Sequence, residues 1–557
     1  VWPLVRQARY LGRYREIAQV LVHHGFGYLV DQLGLTALLP LARRAALRAP
    51  AAAPGNAVRL RLALIELGPT FVKLGQALST RPDMLSADLL SELSKLQDTV
   101  PSFPSAQAIA TIEAELGRPL TELFAAFERE PFAAASLGQV HAARLHDGSD
   151  VVVKVQRPDI AGRIDTDLAI LADLAALAQE RLATAAQYNP IELVHEFAMT
   201  LRAELDYRQE ARNAERFAQI FRDDATVHIP RVYWEYSAAR VLTSERIRGL
   251  KITDLAGLEQ AGIDRTALAQ ASLRITLEEV FTYGFFHSDP HPGNFFVMNG
   301  GVIGVVDFGQ VGSLDRATTQ DLLVLMGALI NSDTLQLLRA LERLGILQRR
   351  AATAALRRDL ERFVNTFVGR PLGAISANEV FEGLTQLLRR HHIVIPGALA
   401  TLFKTLVMIE GLGAQLDPRL DVFATARPYV ETALKEQLAP GRLAQQAFGG
   451  AVELGELAVE IPAQLSAALQ RLLDGQITVQ SRETELRRVA TALIRAANRI
   501  AAALVLSALL IGLAAVAFAV QSGAWQGPLP LLMLGAGMTA VLIGGIFFVF
   551  ALLRSHE

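Results

Sequence analysis

The sequence predicts an α+β chain of two lobes, a small β-rich lobe followed by a mostly helical one. A helical extension stands in front of them and a pair of transmembrane helices behind. Three observations predict this: a valine-rich, strand-like zone at residues 131–158, long segments of helical apolar spacing on either side of it, and two uninterrupted apolar runs near the C-terminus. With 557 residues, 51% hydrophobic and 20% charged, the chain can bury more than one core. Its 54 basic and 56 acidic side chains leave a net charge of -2, which argues against a nucleic-acid partner, since that needs a dense basic face. The absence of cysteine excludes a disulfide framework, a thiolate zinc site and a cysteine nucleophile. Arginine dominates the basic count. Only six lysines occur, at 73, 95, 154, 251, 404 and 435, so a lysine inside a motif carries weight.

Taken in order, residues 1–50 read as amphipathic helices ending in the boundary stretch LARRAALRAPAAAPGN. A helical extension spans 51–115, with apolar helical spacing over 57–97 until the prolines of TVPSFP break it. The small lobe covers about 116–250: a helix from Ala106 to Phe127 leads in, and a hairpin turns at His146-Asp147-Gly148. Helices then run to about Phe221, followed by short strands around RVYWEY and RVLTSERI. The large lobe covers about 251–435. In it, helices fill Leu255 to Tyr283, and FFHSDPHPGNFFVMNGGVIGVVDFGQVG reads as loop, strand, Asn-Gly-Gly turn and strand. Helical spacing continues from residue 315 to about 480, the part from 436 to 499 being an amphipathic linker.

The closing segment, 500–553, holds the runs Ile500–Val520 and Leu529–Leu553. Each is long enough for a membrane-spanning helix, which takes about 20 apolar residues. Arg487, Arg488, Arg495 and Arg499 precede the first run, Arg554 follows the second, and the link between them is uncharged. The positive-inside rule then puts both outer ends and the bulk of the chain on the cytoplasmic side.

The chemistry is concentrated in two motifs, Asp289-Pro-His-Pro-Gly-Asn294 and Asp307-Phe308-Gly309. Phosphoryl transfer needs a carboxylate near the attacking oxygen and oxygen ligands for a metal that bridges the phosphates. Kinases draw these from an Asp-x-x-x-x-Asn loop and a later Asp-Phe-Gly, and the spacing here matches. Hard donors such as Asn294 and Asp307 suit Mg²⁺. A competing metal cluster of His287, Asp289 and His291 is disfavoured, because Pro290 and Pro292 prevent regular strand alternation. Val151-Val-Val-Lys154 supplies the lysine that ends an apolar strand and reaches nucleotide phosphates in kinases. The segment RAELDYRQEARNAERF offers its partner acid among Glu204, Asp206, Glu210 and Glu215. With a β-rich lobe ahead of a helical one, these motifs outline a protein-kinase-like fold.

Two departures stand out. In place of a glycine-rich phosphate loop is Ala133-Ala134-Ala135-Ser136-Leu137-Gly138, whose methyl groups hinder the close approach that glycine permits. Helical sequence also resumes soon after Gly309, leaving no room for an activation segment. The platform on which kinases lay a peptide is missing, which weakens protein phosphorylation as the activity.

These residues, with Lys73-Leu-Gly75-Gln76 on a preceding helix, resemble the UbiB family of atypical kinase-like proteins of ubiquinone biosynthesis. The resemblance runs from about residue 57 to the end. It implies that Lys154 pairs with Glu210 and touches ATP, that Asp289 takes the catalytic-loop position, and that Asn294 and Asp307 hold Mg²⁺. It further implies that the loop of Ala133, Ala134, Ala135, Ser136 and Gly138 covers the nucleotide. Lys73 and Gln76 would come over the same site, Lys73 meeting Glu204 or Asp206. On a regular helix those two acids point about 200° apart, so both face Lys73 only if the helix bends or breaks between them.

What the resemblance implies about function is a membrane-anchored, Mg²⁺-dependent ATPase or small-molecule kinase at the cytoplasmic face of the bacterial inner membrane. Its partners would be ATP, the bilayer, an isoprenoid quinone precursor or lipid, and quinone-biosynthesis enzymes. The alternative is a nucleotide-gated lipid-binding or scaffold pseudokinase in which chemistry is dispensable.

Overall fold

The computed structural model of the protein describes residues 4–39, 55–96, 101–182, 185, 188–330, 333–347, 354–366, 376–391, 393–437 and 539. All but the last belong to one compact unit, Val1–Leu443. The linker expected at 436–499 and the apolar runs 500–520 and 529–553 lie almost wholly outside the described residues.

The extension includes α1 (Leu4–His23), α2 (Asn56–Leu67), α3 (Pro69–Ser79) and α4 (Ala87–Leu93), with a short helix at Gly27–Gln32 after the first. The helical stretch expected at 57–97 is thus broken, first at Gly68 (φ 99°) followed by Pro69. The turn is glycine's because a β-carbon there would sit 3.0 Å from the Arg163 guanidinium and in a backbone region hostile to side chains. Helix α5 (Ser105–Leu116) ends at Gly117, a left-handed cap. The helix expected to reach Phe127 therefore stops early. Residues Ala126–Phe127 instead form strand β1, paired with Arg144 and Ala143.

The small lobe is an antiparallel sheet, β1-β3-β4-β6, with β2 (Ala133–Ala134) also on β3. Strands β3 (Gly138–Arg144) and β4 (Asp150–Gln156) form the expected hairpin, and β6 is Val241–Glu245. Along β4 the burial alternates: Val151, Val153 and Val155 are fully buried against Ile112 and Phe124. Period-two geometry then turns Lys154 to the other face. RVYWEY is less regular than expected, being a single bridge from Val232 to Ser244 and a short turn at Trp234–Tyr236.

Three helices follow the order of the chain beside this sheet: α6 (Ile160–Arg181), α7 (Pro190–Glu204) and α8 (Tyr207–Ile220). The break between α7 and α8 is set by Asp206, whose carboxylate accepts from the Arg208 backbone N–H as an N-cap. The extension packs on α6 and α7, with Leu64, Leu67, Phe71 and Val72 against Ile164, Leu168 and Leu201. It also reaches the other lobe. Buried Arg81 and Asp83 form a two-point ion pair, and between them they bind both the carbonyl and the N–H of Ile395.

In the large lobe, β5 (Val227–His228) lies parallel to β10 (Ile303–Val305), which pairs with β9 (Phe295–Val297) and through it with β7 (Leu250–Lys251). The turn between β9 and β10 is the expected Asn-Gly-Gly, with φ 78° and 81° at Gly300 and Gly301. Strand β8 (Phe285–His287) pairs with β11 (Val311–Ser313). Helices α9 (Arg265–Glu278), α10 (Arg316–Ile330), α11 (Thr334–Arg343), α12 (Ala354–Asn365), α13 (Ala377–Arg390), α14 (Gly397–Leu416) and α15 (Val422–Gln437) complete it. Among the described residues α14 is the one helix long and apolar enough to cross a membrane. Its Leu399, Ala400, Leu402, Ile409 and Leu412 are buried in the core of this lobe.

Helix α9 runs into a wider π turn, Glu279–Tyr283, before β8. There the Glu279 carboxylate, 4% exposed, accepts from the His287 backbone N–H at 3.0 Å. Burial pushes this carboxyl up to about 8, against the pull of that hydrogen bond. Between its ordinary value and about 8 the folded chain holds a proton that the unfolded chain has released, so stability falls as pH rises. Glu279→Gln keeps an acceptor for His287 and removes the ionisation. Its unfolding free energy is expected to equal that of the parent near pH 5 and to exceed it by pH 9 by on the order of a few kcal/mol, read as a higher thermal midpoint. Parallel pH–melting curves for the two proteins would refute this.

Candidate active site

Lys154 is where the small lobe meets the large one. Its Nζ lies 2.9 Å from both carboxylate oxygens of Glu210 and 3.6 Å from Asp307 Oδ1. Glu210 stands one turn into α8, so the cap at Asp206 also fixes the depth at which it enters the cleft. Beneath the ammonium lies the Tyr207 ring, 5.3 Å from Nζ, a cation–π contact. Burial works against the lysine's charge, yet Asp307 and Glu210 overcome it and hold the group well above its usual range. The two acids share the ammonium unequally. Lys154 draws Asp307 down to about 2, whereas burial lifts Glu210 to about 7. The protonated lysine is the firm member, having two carboxylates against one cation.

Asp307 follows β10 in the left-handed region, φ 64°, which is uncommon for a residue with a side chain and is best tolerated by Asn and Asp. The turn is held from both sides. The Gly309 N–H donates to Asp307 Oδ1 at 3.2 Å, and the Asn213 amide donates to the Phe308 carbonyl at 2.9 Å. Phe308 packs between Phe217 and His287, with ring centroids 5.0 and 5.7 Å away. Because Phe295 pairs with Val305, Asn294 and Asp307 project from the same end of the β9–β10 hairpin, and Val306 N–H donates to the Asn294 carbonyl at 2.9 Å.

The 289–294 loop is ordered from within. The Asn294 side-chain N–H donates to the Asp289 carbonyl at 3.2 Å, which leaves its amide oxygen for other use. The Asp289 backbone N–H donates to His287 Nδ1 at 3.2 Å, so that nitrogen is unprotonated. Burial lowers the His287 pKa in keeping with a neutral ring, outweighing the carboxylates of Asp307 and Asp289. His291 Nδ1 instead accepts from Gly293 N–H within its own turn. His287, Asp289 and His291 are not among the described groups whose donor atoms converge closely enough to hold a metal.

Lys73 comes to the same cleft from α3. Its Nζ is 3.1 Å from Glu204 Oε2, both side chains being about nine-tenths buried. The other oxygen of Glu204 accepts from Gln310 Nε2 at 2.8 Å, and the Gln310 carbonyl accepts from Ser288 N–H at 3.2 Å. The charge of Lys73 adds to the field that depresses Asp307. Of the two acids expected for Lys73, the break in the helix selects Glu204. Asp206 points away, its oxygens 2.8 and 2.9 Å from the Arg208 guanidinium. Gln76 donates to the Leu96 carbonyl at 3.1 Å.

In the alanine-rich loop, Ala133 is exposed and Ala134 and Ala135 half-buried. The Ala135 N–H donates to the Gly138 carbonyl at 2.8 Å. Ser136 is 1% exposed, and its hydroxyl has no partner among the described residues. Gly138 is required by packing. A β-carbon there would lie 2.4 Å from the Tyr207 hydroxyl and 2.5 Å from the Val155 carbonyl.

Four of the site's residues escaped the sequence reading: Tyr207, Glu279, Gln310 and Lys404. Lys404 is the one with a signal. It is a lysine in the middle of an apolar helix of a lysine-poor chain, and its Nζ stands 3.1 Å from Asp289 Oδ1. Burial works to raise the Asp289 carboxyl, but Lys404 overrides this and keeps it below the usual carboxylate range.

The donor set fits a magnesium–nucleotide. Asn294 and Asp307 present oxygen atoms at one hairpin end, Lys154 brings a fixed positive charge beside Asp307, and the orphaned Ser136 hydroxyl lies in the alanine-rich loop.

Comparison with known proteins places this geometry. Residues 95–341 match the ABC1 atypical kinase-like domain, and residues 360–421 match the UbiB helical domain. The chain is 35% identical to the probable protein kinase UbiB of Xanthomonas campestris over 549 residues, 95% of this chain and 98% of that one. It is 41% identical to the probable protein kinase UbiB of Pseudomonas paraeruginosa over 393 residues, 69% of this chain and 73% of that one. Among solved structures, the Rv3197–erythromycin complex from Mycobacterium tuberculosis aligns at 24% identity over 68% of this chain and 94% of that chain, with a TM-score of 0.44. By its match along nearly its whole length, the chain belongs to the UbiB family of atypical kinase-like proteins.

Proposed function

We propose that the protein binds Mg²⁺–ATP and splits its terminal phosphate, as an ATPase or a small-molecule kinase that supports ubiquinone biosynthesis from the membrane surface. The observation that carries the reading is the triad of Lys154, Glu210 and Asp307, closed across two lobes. Lys154 would take the nucleotide phosphates, held in place by Glu210. Asn294 and Asp307 would hold the metal, which when bound screens phosphate charge and orients the terminal group. Asp289 would accept the proton of the attacking hydroxyl or water. Ala133, Ala134, Ala135 and Ser136 would cover the phosphates, with Gly138 keeping the loop seated over Tyr207. Lys73, with Gln76 on the same helix, would cover the cleft through Glu204.

The curated relatives are named protein kinases. A peptide acceptor is nonetheless the weaker reading here. Residues 310–315 alone separate Gly309 from α10, and three of them return as β11 to pair with β8. That leaves no extended segment on which to lay a peptide. The quinone connection follows from the family name, and the substrate would be an isoprenoid precursor or lipid rather than a protein.

The membrane part of the proposal rests on the two apolar runs near the C-terminus and the arginines that flank them. A second reading, a nucleotide-gated scaffold for lipid or for quinone-biosynthesis enzymes, is favoured by the Lys73–Glu204–Gln310 chain drawn across the cleft.

Asp307→Asn is expected to lower ATP turnover by at least about 100-fold, the scale of losing one charge-stabilising group, while the protein stays folded. Turnover within a few-fold of the parent would sink the site assignment. Quinone levels restored in cells by this variant would favour the scaffold. The full chain is expected to stay with the membrane pellet through alkaline carbonate washing, and recovery in the supernatant would remove the anchor.

A further inference from the structure

Helix α14 is apolar over twenty residues and carries two charged side chains, Lys404 and Glu410. Burying an ammonium on such a helix is costly unless it is paired. Its partner is Asp289, at 3.1 Å, and the two side chains remain 27% and 39% exposed. The next residue, Thr405, is fully buried and donates to the Ser288 carbonyl at 3.3 Å. Helix α14 thus grips two consecutive residues of the catalytic loop.

We propose that Lys404 is a second cation of the phosphoryl-transfer site, neutralising the transferred group on its acceptor side as Lys154 does on its nucleotide side. The inference rests on the reading of Asp289, Asn294 and Asp307 as a transfer site. In an in-line displacement the attacking and leaving oxygens lie on opposite sides of phosphorus. The acceptor oxygen bonds to the terminal phosphorus as the bond from phosphorus to the bridging oxygen of ADP breaks. The electron pair leaves with ADP, and the acceptor's proton passes to the Asp289 carboxylate. Lys154 is committed to Glu210 and Asp307 on the nucleotide side. Among the described residues, Lys404 is the cation paired with Asp289. It arrives from a helix 115 residues from Asp289 in the chain, outside the span of the kinase-like domain match.

The test uses the full chain in detergent and measures calorimetric affinity for Mg–ADP alone and for Mg–ADP with aluminium fluoride, a mimic of the transferred phosphoryl. Lys404→Met is expected to bind Mg–ADP within about twofold of the parent and the fluoroaluminate complex about 100-fold more weakly. Lys404→Arg is expected to recover most of the loss, and exposed Lys251→Met to change neither. Equal losses for both ligands would mean a structural role and overturn the proposal, as would no loss for either. If the parent protein itself gains no affinity from fluoride, the transfer-site reading falls and the proposal with it. Tightening in the parent that survives Lys404→Met would overturn the proposal alone.

Discussion

One ammonium group organises this molecule. Lys154 is placed by strand alternation, Glu210 by a helix whose first turn is capped, and Asp307 by a left-handed turn after a hairpin. Two segments distant in sequence are brought to within 3.6 Å of a nitrogen carried by a third. The interior of a protein makes such a cluster unforgiving. Two carboxylates without the lysine would repel each other, and a buried lysine without them would surrender its proton. Much of the surrounding structure can be understood as support for this balance. Tyr207 lies under the ammonium, Gly138 makes space for the Tyr207 hydroxyl, and Asn213 pins the backbone of Phe308.

A second layer of charges surrounds the first and arrives from elements outside the two-lobed core. Lys73 comes from the extension and Lys404 from the helical end of the large lobe. Each meets its own acid, and each acid is tied to the 288–310 region through Gln310 or the loop itself. Half of the chain's lysines therefore stand around one cleft, while arginine does most of the work of surface pairing. Lysine is a compact, strongly hydrated charge on a flexible stem, whereas arginine's planar fork suits fixed two-point pairing.

Much of this was legible in the sequence because it was encoded locally. The valine run gave β4 with Lys154 on it, though not the face the lysine takes; the Asn-Gly-Gly turn gave the β9–β10 hairpin; spacing singled out Asp289 and Asn294. The choice between Glu204 and Asp206 for Lys73 was not legible, since it depended on Asp206 capping α8 and so breaking a helix that periodicity alone would continue. Ala126–Phe127 was misread for the converse reason: its apolar spacing continued a helix that Gly117 had already ended. Gln310 left no mark in the sequence, and Lys404 showed only as a lone lysine in an apolar helix; the partners of both are fixed by tertiary packing, Lys404 lying 115 residues from Asp289.

The Arg81–Asp83 pair bears on how the two lobes are held together. Kinase-like lobes are ordinarily joined by a single connector, about which they swing. Here the extension, packed on α6 and α7, also fastens to Ile395 of the helical lobe by two charge-assisted hydrogen bonds. Each such bond is worth about 1.5–3 kcal/mol. Swinging the lobes apart along that strap means releasing both at once, so the extension acts as a second fastening between them, besides the chain itself.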